Sequence, residues 1–350
     1  MPNDKIKTYQ EVITYLNKQD RKTHLLLGNG FSMAYDNTIF SYNALANFIH
    51  NINNKDLQQL FEIVNTNNFE LLMQQLDNAA QIAEVFGTGK KVVAKIRQAS
   101  ESLKASLIDA VKELHPEHVF AIPKQQSTAC AAFLNSFLSN NGQIFTTNYD
   151  LLLYWVLMRN ELDQSGDGFG REAEEIDEWI EPEDRVWSEL RWGKYKDSQS
   201  IHYLHGALHL FDTGIDIVKE EYTSEHYLLE NIKARMDRKE YPVFVTAGSG
   251  KDKLTHIMHN KYLAYCYEEF SKITGSLICY GFSFGNYDEH IVAAINKASK
   301  FNKERQGKLF SVYIGIYSKK DIDHITKIKK KFKCKVNLFD AKSAEVWGKQ

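Results

Sequence analysis

The chain has 350 residues, 43% hydrophobic and 25% charged, with 43 Lys and Arg against 45 Asp and Glu for a formal net charge of −2. This is the balance of a soluble globular protein with no global attraction to nucleic acid or to a membrane surface, so any charged partner has to be read from a local patch. The length suits two domains or one with a large insertion, and a single domain over residues 1–350 is the expectation.

No apolar run approaches the ~20 residues a membrane-spanning helix needs. Met1-Pro2-Asn3-Asp4-Lys5 carries no signal-peptide pattern, and the expected location is the cytoplasm. Cys130, Cys266, Cys279 and Cys334 contain no C-x-x-C pair, which argues against both a zinc ribbon and a disulfide framework.

Apolar positions at helical spacing from Ile6 to Leu16 predict a first helix over about residues 5–20. Leu25-Leu26-Leu27 then reads as a strand covered on both faces, the pattern of a central parallel strand. It runs into Gly28-Asn29-Gly30-Phe31-Ser32, where two glycines allow a tight turn and a following helix offers free N–H groups to an anion. An ordinary strand-to-helix turn explains the same residues, since the third glycine of the dinucleotide fingerprint is missing.

Residues 42–138 read as a helical insertion: Tyr42 to Ile52, Leu57 to Val64, a long helical region from Phe69 to about Leu114, and a helix from Thr128 to Leu138. Gly87-Thr88-Gly89-Lys90 lacks the phosphate-loop spacing and reads as a helix-to-helix turn. Asn140-Asn141-Gly142 leads into a second strand, Gln143 to Thr146, ending in Thr147-Asn148-Tyr149-Asp150. Open α/β sheets bind ligands at the carboxyl ends of their strands, which marks Thr147, Asn148 and Asp150; alternatively, Asn148 or Asp150 caps the next helix.

Residues 160–198 form an acidic excursion expected to project away from the core; its Trp179, Trp187 and Trp192 read as half-buried packing under a loop, with an interface as the alternative. Ile201 to Phe211 reads as one strand-like segment with His202, His205 and His209. The four-residue spacing of His205 and His209 permits a metal reading, but no adjacent carboxylate or cysteine supports one, and no metal is expected. His205 stands out because Gly206 follows it at a strand end, letting a ligand approach the imidazole. The α/β rhythm continues with a strand at Pro242 to Thr246, a helix from Leu254 to Ile273, a strand at Ser276 to Tyr280 ending in Gly281-Phe282-Ser283-Phe284 with Asp288 beyond, and strands at Leu309 to Ile316 and Lys335 to Phe339. The lysines from Lys327 to Lys333 read as complementing the dipole of a surface helix at its last turn, with contact to nucleic acid as the weaker alternative.

Four strand ends thus present Gly28-Asn29-Gly30-Phe31-Ser32, Thr146-Thr147-Asn148-Tyr149-Asp150, His205-Gly206 and Gly281-Phe282-Ser283 in order. This order resembles the sirtuin (SIR2) family, and the wider chain, at His24 to Tyr35, Tyr203 to Phe211 and Pro242 to Lys251, looks like a bacterial SIR2-like branch, the domain of unknown function DUF4917. The resemblance implies a Rossmann-like, doubly wound, mostly parallel α/β sheet that binds NAD as substrate. It sets Gly28 to Ser32 against the pyrophosphate and Asn148 and Asp150 near the nicotinamide ribose and carboxamide, with His205 as base. Gly281 and Ser283 would hold the adenosine ribose, and Thr147, Gly206 and Asp288 complete the binding set.

A threonine, Thr147, stands where sirtuin deacylases carry glutamine, and no zinc-module cysteines follow His205. The implied activity is therefore NAD+ glycohydrolysis, in the setting of an antiviral effector that depletes NAD, commonly a homo-oligomer held inactive until a trigger protein acts. Asn148 suits orientation of a water or ribose hydroxyl, and an imidazole with an unperturbed pKa near ~6.5 takes a proton at neutral pH. Asp150 either binds the carboxamide or stabilises developing positive charge. A non-catalytic NAD or ADP-ribose sensor, and an ADP-ribosyl transferase or deacylase, are the competing readings.

Overall fold

A computed structural model of the chain describes residues 6–37, 55–64, 69–87, 89–172, 187–238, 240–245 and 249–348. Its strands are β1 (Lys7–Thr8), β2 (Thr23–Leu27), β3 (Ile144–Thr146), β4 (Phe169–Gly170), β5 (Leu190–Trp192), β6 (Ile201–Tyr203), β7 (Gly206–Asp212), β8 (Ile217–Lys219), β9 (Pro242–Phe244), β10 (Gly275–Tyr280), β11 (Leu309–Ile316) and β12 (Lys335–Asp340). Seven of them form a sheet in the order β1-β12-β11-β10-β2-β3-β6, parallel at every pairing.

Setting β1 aside, the other six strands, counted by their order in the chain, run 3-2-1-4-5-6 across the sheet, the order of the dinucleotide-binding fold. The order in which strands are added reverses between β2 and β10, and with right-handed crossovers that reversal puts the connecting helices of the two halves on opposite faces. The expected Rossmann-like α/β architecture is therefore present. Leu25, Leu26 and Leu27 of β2 are completely buried, as a strand covered on both faces requires, and Leu277, Ile278 and Cys279 of β10 match them.

Local chemistry accounts for the helix boundaries. Thr8 and Glu11 form a capping box for Tyr9–Lys18, as do Ser249 and Asp252 for Gly250–His259 and Ser318 and Asp321 for Lys319–Ile328. The helix expected over 254–273 is two: Asn260 ends the first and accepts N–H bonds from Tyr262 and Leu263 to start Lys261–Phe270.

Helices Lys55–Val64, Phe69–Val85 and Lys90–Leu114 meet in a small core of their own, centred on Leu57, Phe61, Leu72, Met73, Leu76 and Leu103. The helix Lys124–Leu138 does not belong with them. Its Cys130, Phe133, Leu134 and Phe137 enter the main core, and it packs on β2 and β3. The helix expected over 42–52 lies outside the described residues.

A second sheet was not anticipated. It is antiparallel, in the order β4-β5-β8-β7-β9. The segment 201–211, expected as one strand, is divided: β6 closes the parallel sheet, Leu204-His205 turn, and β7 enters the antiparallel one. Pro242–Phe244 joins that sheet too, rather than the parallel one. The two ends of the acidic excursion supply β4 and β5, so they pack inward instead of projecting; Trp192 sits edge-on to Tyr262 with ring centroids 5.5 Å apart. Trp187 is exposed, and Trp179 lies outside the described residues. No helix among the described residues is long and apolar enough to cross a membrane.

Candidate functional site

The carboxyl end of β2 runs into the short helix Gly30–Tyr35, and that of β3 into the helix Leu152–Arg159. Ser32, fully buried in the first, donates its hydroxyl to Asp150 Oδ2 at 2.5 Å and accepts from Asn148 Nδ2 at 2.9 Å. Asp150 Oδ1 accepts the Leu152 N–H at 3.0 Å, so the carboxylate also ties down the first residue of the next helix from one position before its N-cap, Leu151. Thr147 is fastened by its N–H to Leu27 O at 3.1 Å, and the Asn148 N–H donates to Thr146 Oγ1 at 3.0 Å. Burial pushes the Asp150 carboxyl above its usual range, and the bonds from Ser32 and Leu152 pull it back.

His205 reaches the same edge from the end of β6 but joins a different cluster. Its Nε2 lies 2.8 Å from Nε2 of His290, with the rings stacked at 5.0 Å between centroids. His290 is in the first turn of the helix Glu289–Ala298, just past Asp288. Asp288 accepts the Gly285 N–H at 3.0 Å and lies 3.7 Å from the ammonium of Lys253, which is only 1% exposed. Burial, then His290 and Lys253, hold His205 well below the ordinary imidazole range; burial and Lys253 bring His290 down to about 3. Both rings are neutral at pH 7. The expectation of an unperturbed His205 basicity is corrected by this burial. Tyr149, between Asn148 and Asp150 in sequence, stacks 6.5 Å from His205 and connects the two clusters.

The glycines have a contact of their own. Gly28 donates its N–H to Tyr280 O at 3.0 Å, Gly30 to Gly281 O at 2.9 Å, and Phe31 to Gly28 O at 2.9 Å, so these amides are already engaged within the protein. Gly281 has φ +68°, and a Cβ there would fall 2.5 Å from Phe31 N. Gly206, at φ +82°, would place a Cβ 1.8 Å from Val243 O, so its missing side chain admits strand β9. Phe31 turns inward, 1% exposed, against Trp347, whose Nε1 donates to Phe31 O at 2.9 Å. Asn29 and Ser283 are exposed at the rim.

The structure thus brings Ser32, Asn148 and Asp150 into one network and His205 and Asp288 into a second, with Gly28, Gly30 and Gly281 between two strand ends. His202 and His209 are buried against Phe145 and Tyr154. No group of three or more His, Cys, Asp or Glu suited to a metal occurs among the described residues. Sequence reasoning missed His290 and Lys253. His290 follows the already marked Asp288 by two residues, a usable signal; Lys253, in the run Lys251-Asp252-Lys253, looks like surface.

Fold and site together define a Rossmann-like α/β protein with a polar, largely buried constellation at the carboxyl edge of its parallel sheet. The chain belongs to the family described as Domain of unknown function (DUF4917), matched over residues 25–347, which takes in every residue of both clusters. No curated protein matches the chain.

Proposed function

We propose that the protein is an NAD+ glycohydrolase that releases nicotinamide and ADP-ribose. The observation that carries this reading is the Ser32–Asn148–Asp150 network between the carboxyl ends of β2 and β3, with β2 bordering the switch point of the 3-2-1-4-5-6 sheet, the end at which open α/β folds bind ligands. The SIR2-like order of the strand-end motifs supports the same assignment, and with it a role in antiviral NAD depletion.

Cleavage of the bond between ribose C1′ and nicotinamide passes through an oxocarbenium-like state and expels a neutral leaving group. The site has to hold the nicotinamide, stabilise positive charge on the ribose and position water. Asn148, fixed through Ser32, orients the water or a ribose hydroxyl; Asp150 supplies negative charge; His205 contacts the ribose from the β6 side. A non-catalytic sensor of NAD or ADP-ribose is the second reading, favoured by one observation: burial leaves His205 a weak base.

Nicotinamide release from NAD by the purified protein, measured beside NAD binding, tests both. Asn148→Ala is expected to lose at least about a hundredfold in release while retaining binding. Binding by the wild type without release selects the sensor, and no binding rejects both readings.

A further inference from the structure

His205 and His290 share one hydrogen bond between their Nε2 atoms, and both rings are buried, at 3% and 2% exposure. A neutral pair of this kind has two arrangements. In one, His205 donates its Nε2–H and His290 carries its own proton on Nδ1. In the other, His290 donates its Nε2–H and His205 carries its proton on Nδ1.

The surroundings of His290 separate the two. Its Nδ1 is buried with no hydrogen-bond partner. The first arrangement puts an N–H into that position, a buried donor with nothing to accept it. The second leaves a bare lone pair there and moves the N–H to Nδ1 of His205, which is not an orphaned buried atom, and buried unmade acceptors are tolerated better than orphaned N–H groups. The ammonium of Lys253, itself 3.7 Å from the Asp288 carboxylate, acts on both rings, and its positive charge disfavours any third arrangement with an added proton.

We infer that His290 is a positioning residue that donates its Nε2–H to His205 and thereby holds His205 as the Nδ1–H form, a hydrogen-bond donor toward the substrate instead of its base. This deepens the glycohydrolase reading and rests on it for the word substrate. With Nε2 occupied by His290 and Nδ1 protonated, His205 has no free lone pair in the resting protein. The reaction tolerates this, because a leaving group that departs neutral and a highly electrophilic ribose cation require little basic assistance until after water has added.

The inference is tested by nitrogen-15 NMR of histidine-labelled full-length protein at pH 7, with the His205 signals assigned by their disappearance in His205→Gln. Free neutral imidazole prefers the Nε2–H form, so a protonated Nδ1 and unprotonated Nε2 at His205 in the wild type is the expected and diagnostic result. His290→Gln, whose amide N–H replaces the Nε2–H donor, is expected to preserve that form, and His290→Phe to return His205 to the Nε2–H form. An Nε2–H form of His205 in the wild type overturns the inference, whether or not His290→Phe folds. The readout needs no turnover. If the protonation pattern is found but NAD is not cleaved, the glycohydrolase reading fails and the His290 assignment stands; if NAD is cleaved by a protein whose His205 is in the Nε2–H form, the reverse holds.

Discussion

Replacing Ser32 by alanine removes one oxygen atom and strands two buried groups. In the native protein the hydroxyl donates to Asp150 and accepts from Asn148, with no part of Ser32 exposed to water. Loss of a bond to a charged acceptor costs about 1.5–3 kcal/mol, and an orphaned buried amide N–H about 1–3 kcal/mol, so Ser32→Ala is expected to cost on the order of 4 kcal/mol at pH 8. For a chain of this length, with an unfolding entropy of roughly 2 cal/mol/K per residue, that corresponds to a fall in Tm of about 5 °C. The cost also depends on pH. Burial holds the folded-state pKa of Asp150 above its unfolded value, so the native protein binds this proton more readily; the favourable contribution is present below the unfolded value of ~3.9 and is lost as pH rises through the folded one. The Ser32 bond limits that loss by favouring the carboxylate. The variant is therefore expected to suffer most at pH 8 and least at pH 6.5, above the acid transition, read by thermal unfolding across that range. An unchanged Tm, or a shift that is the same at both ends, would refute the network.

Two further perturbations test other parts of the structure. His24, His202 and His290 are lowered to about 3 and His115 to about 4, mainly by burial, so their stabilising contribution is full above the unfolded pKa of ~6.5 and is lost as pH falls from there toward the folded values. At pH 5 each costs roughly 2 kcal/mol, and the four together are on the order of a typical net stability; circular dichroism should show unfolding between pH 6 and 4, and a native spectrum at pH 4 would contradict their neutral burial. Gly281→Ala sets a Cβ against the backbone of Gly30 and Phe31 at a left-handed φ, and more than about 3 kcal/mol of destabilisation is expected; soluble protein with the wild-type Tm would show that the two loops do not touch as described.

How much of this was legible in the chain depended on how local the signal was. The strands β2, β10, β11 and β12 are five to eight apolar or alternating residues between turn signals, and their expected and observed positions agree to within about two residues. The antiparallel sheet was invisible because β4 and β5 span two and three residues, too few to show any period. The division of 201–211 was hidden by a run that is buried throughout, where burial by one sheet or by the other leaves the same apolar pattern. For the site, Ser32, Asn148 and Asp150 were marked by their places at strand ends, yet the bonds joining them cross more than a hundred residues of chain.

By itself, the sequence determined the central buried strands, the capped helices that flank them and the polar residues at the strand ends, because hydrophobic period, capping residues and turn residues act over a few positions. Only the tertiary structure decided that Gly28, Gly30 and Gly281 press against one another, that His205 meets His290 across 85 residues, and that the imidazoles are held neutral. Those properties depend on distance and desolvation between groups remote in the chain, and neither exists until the sheet has closed around them.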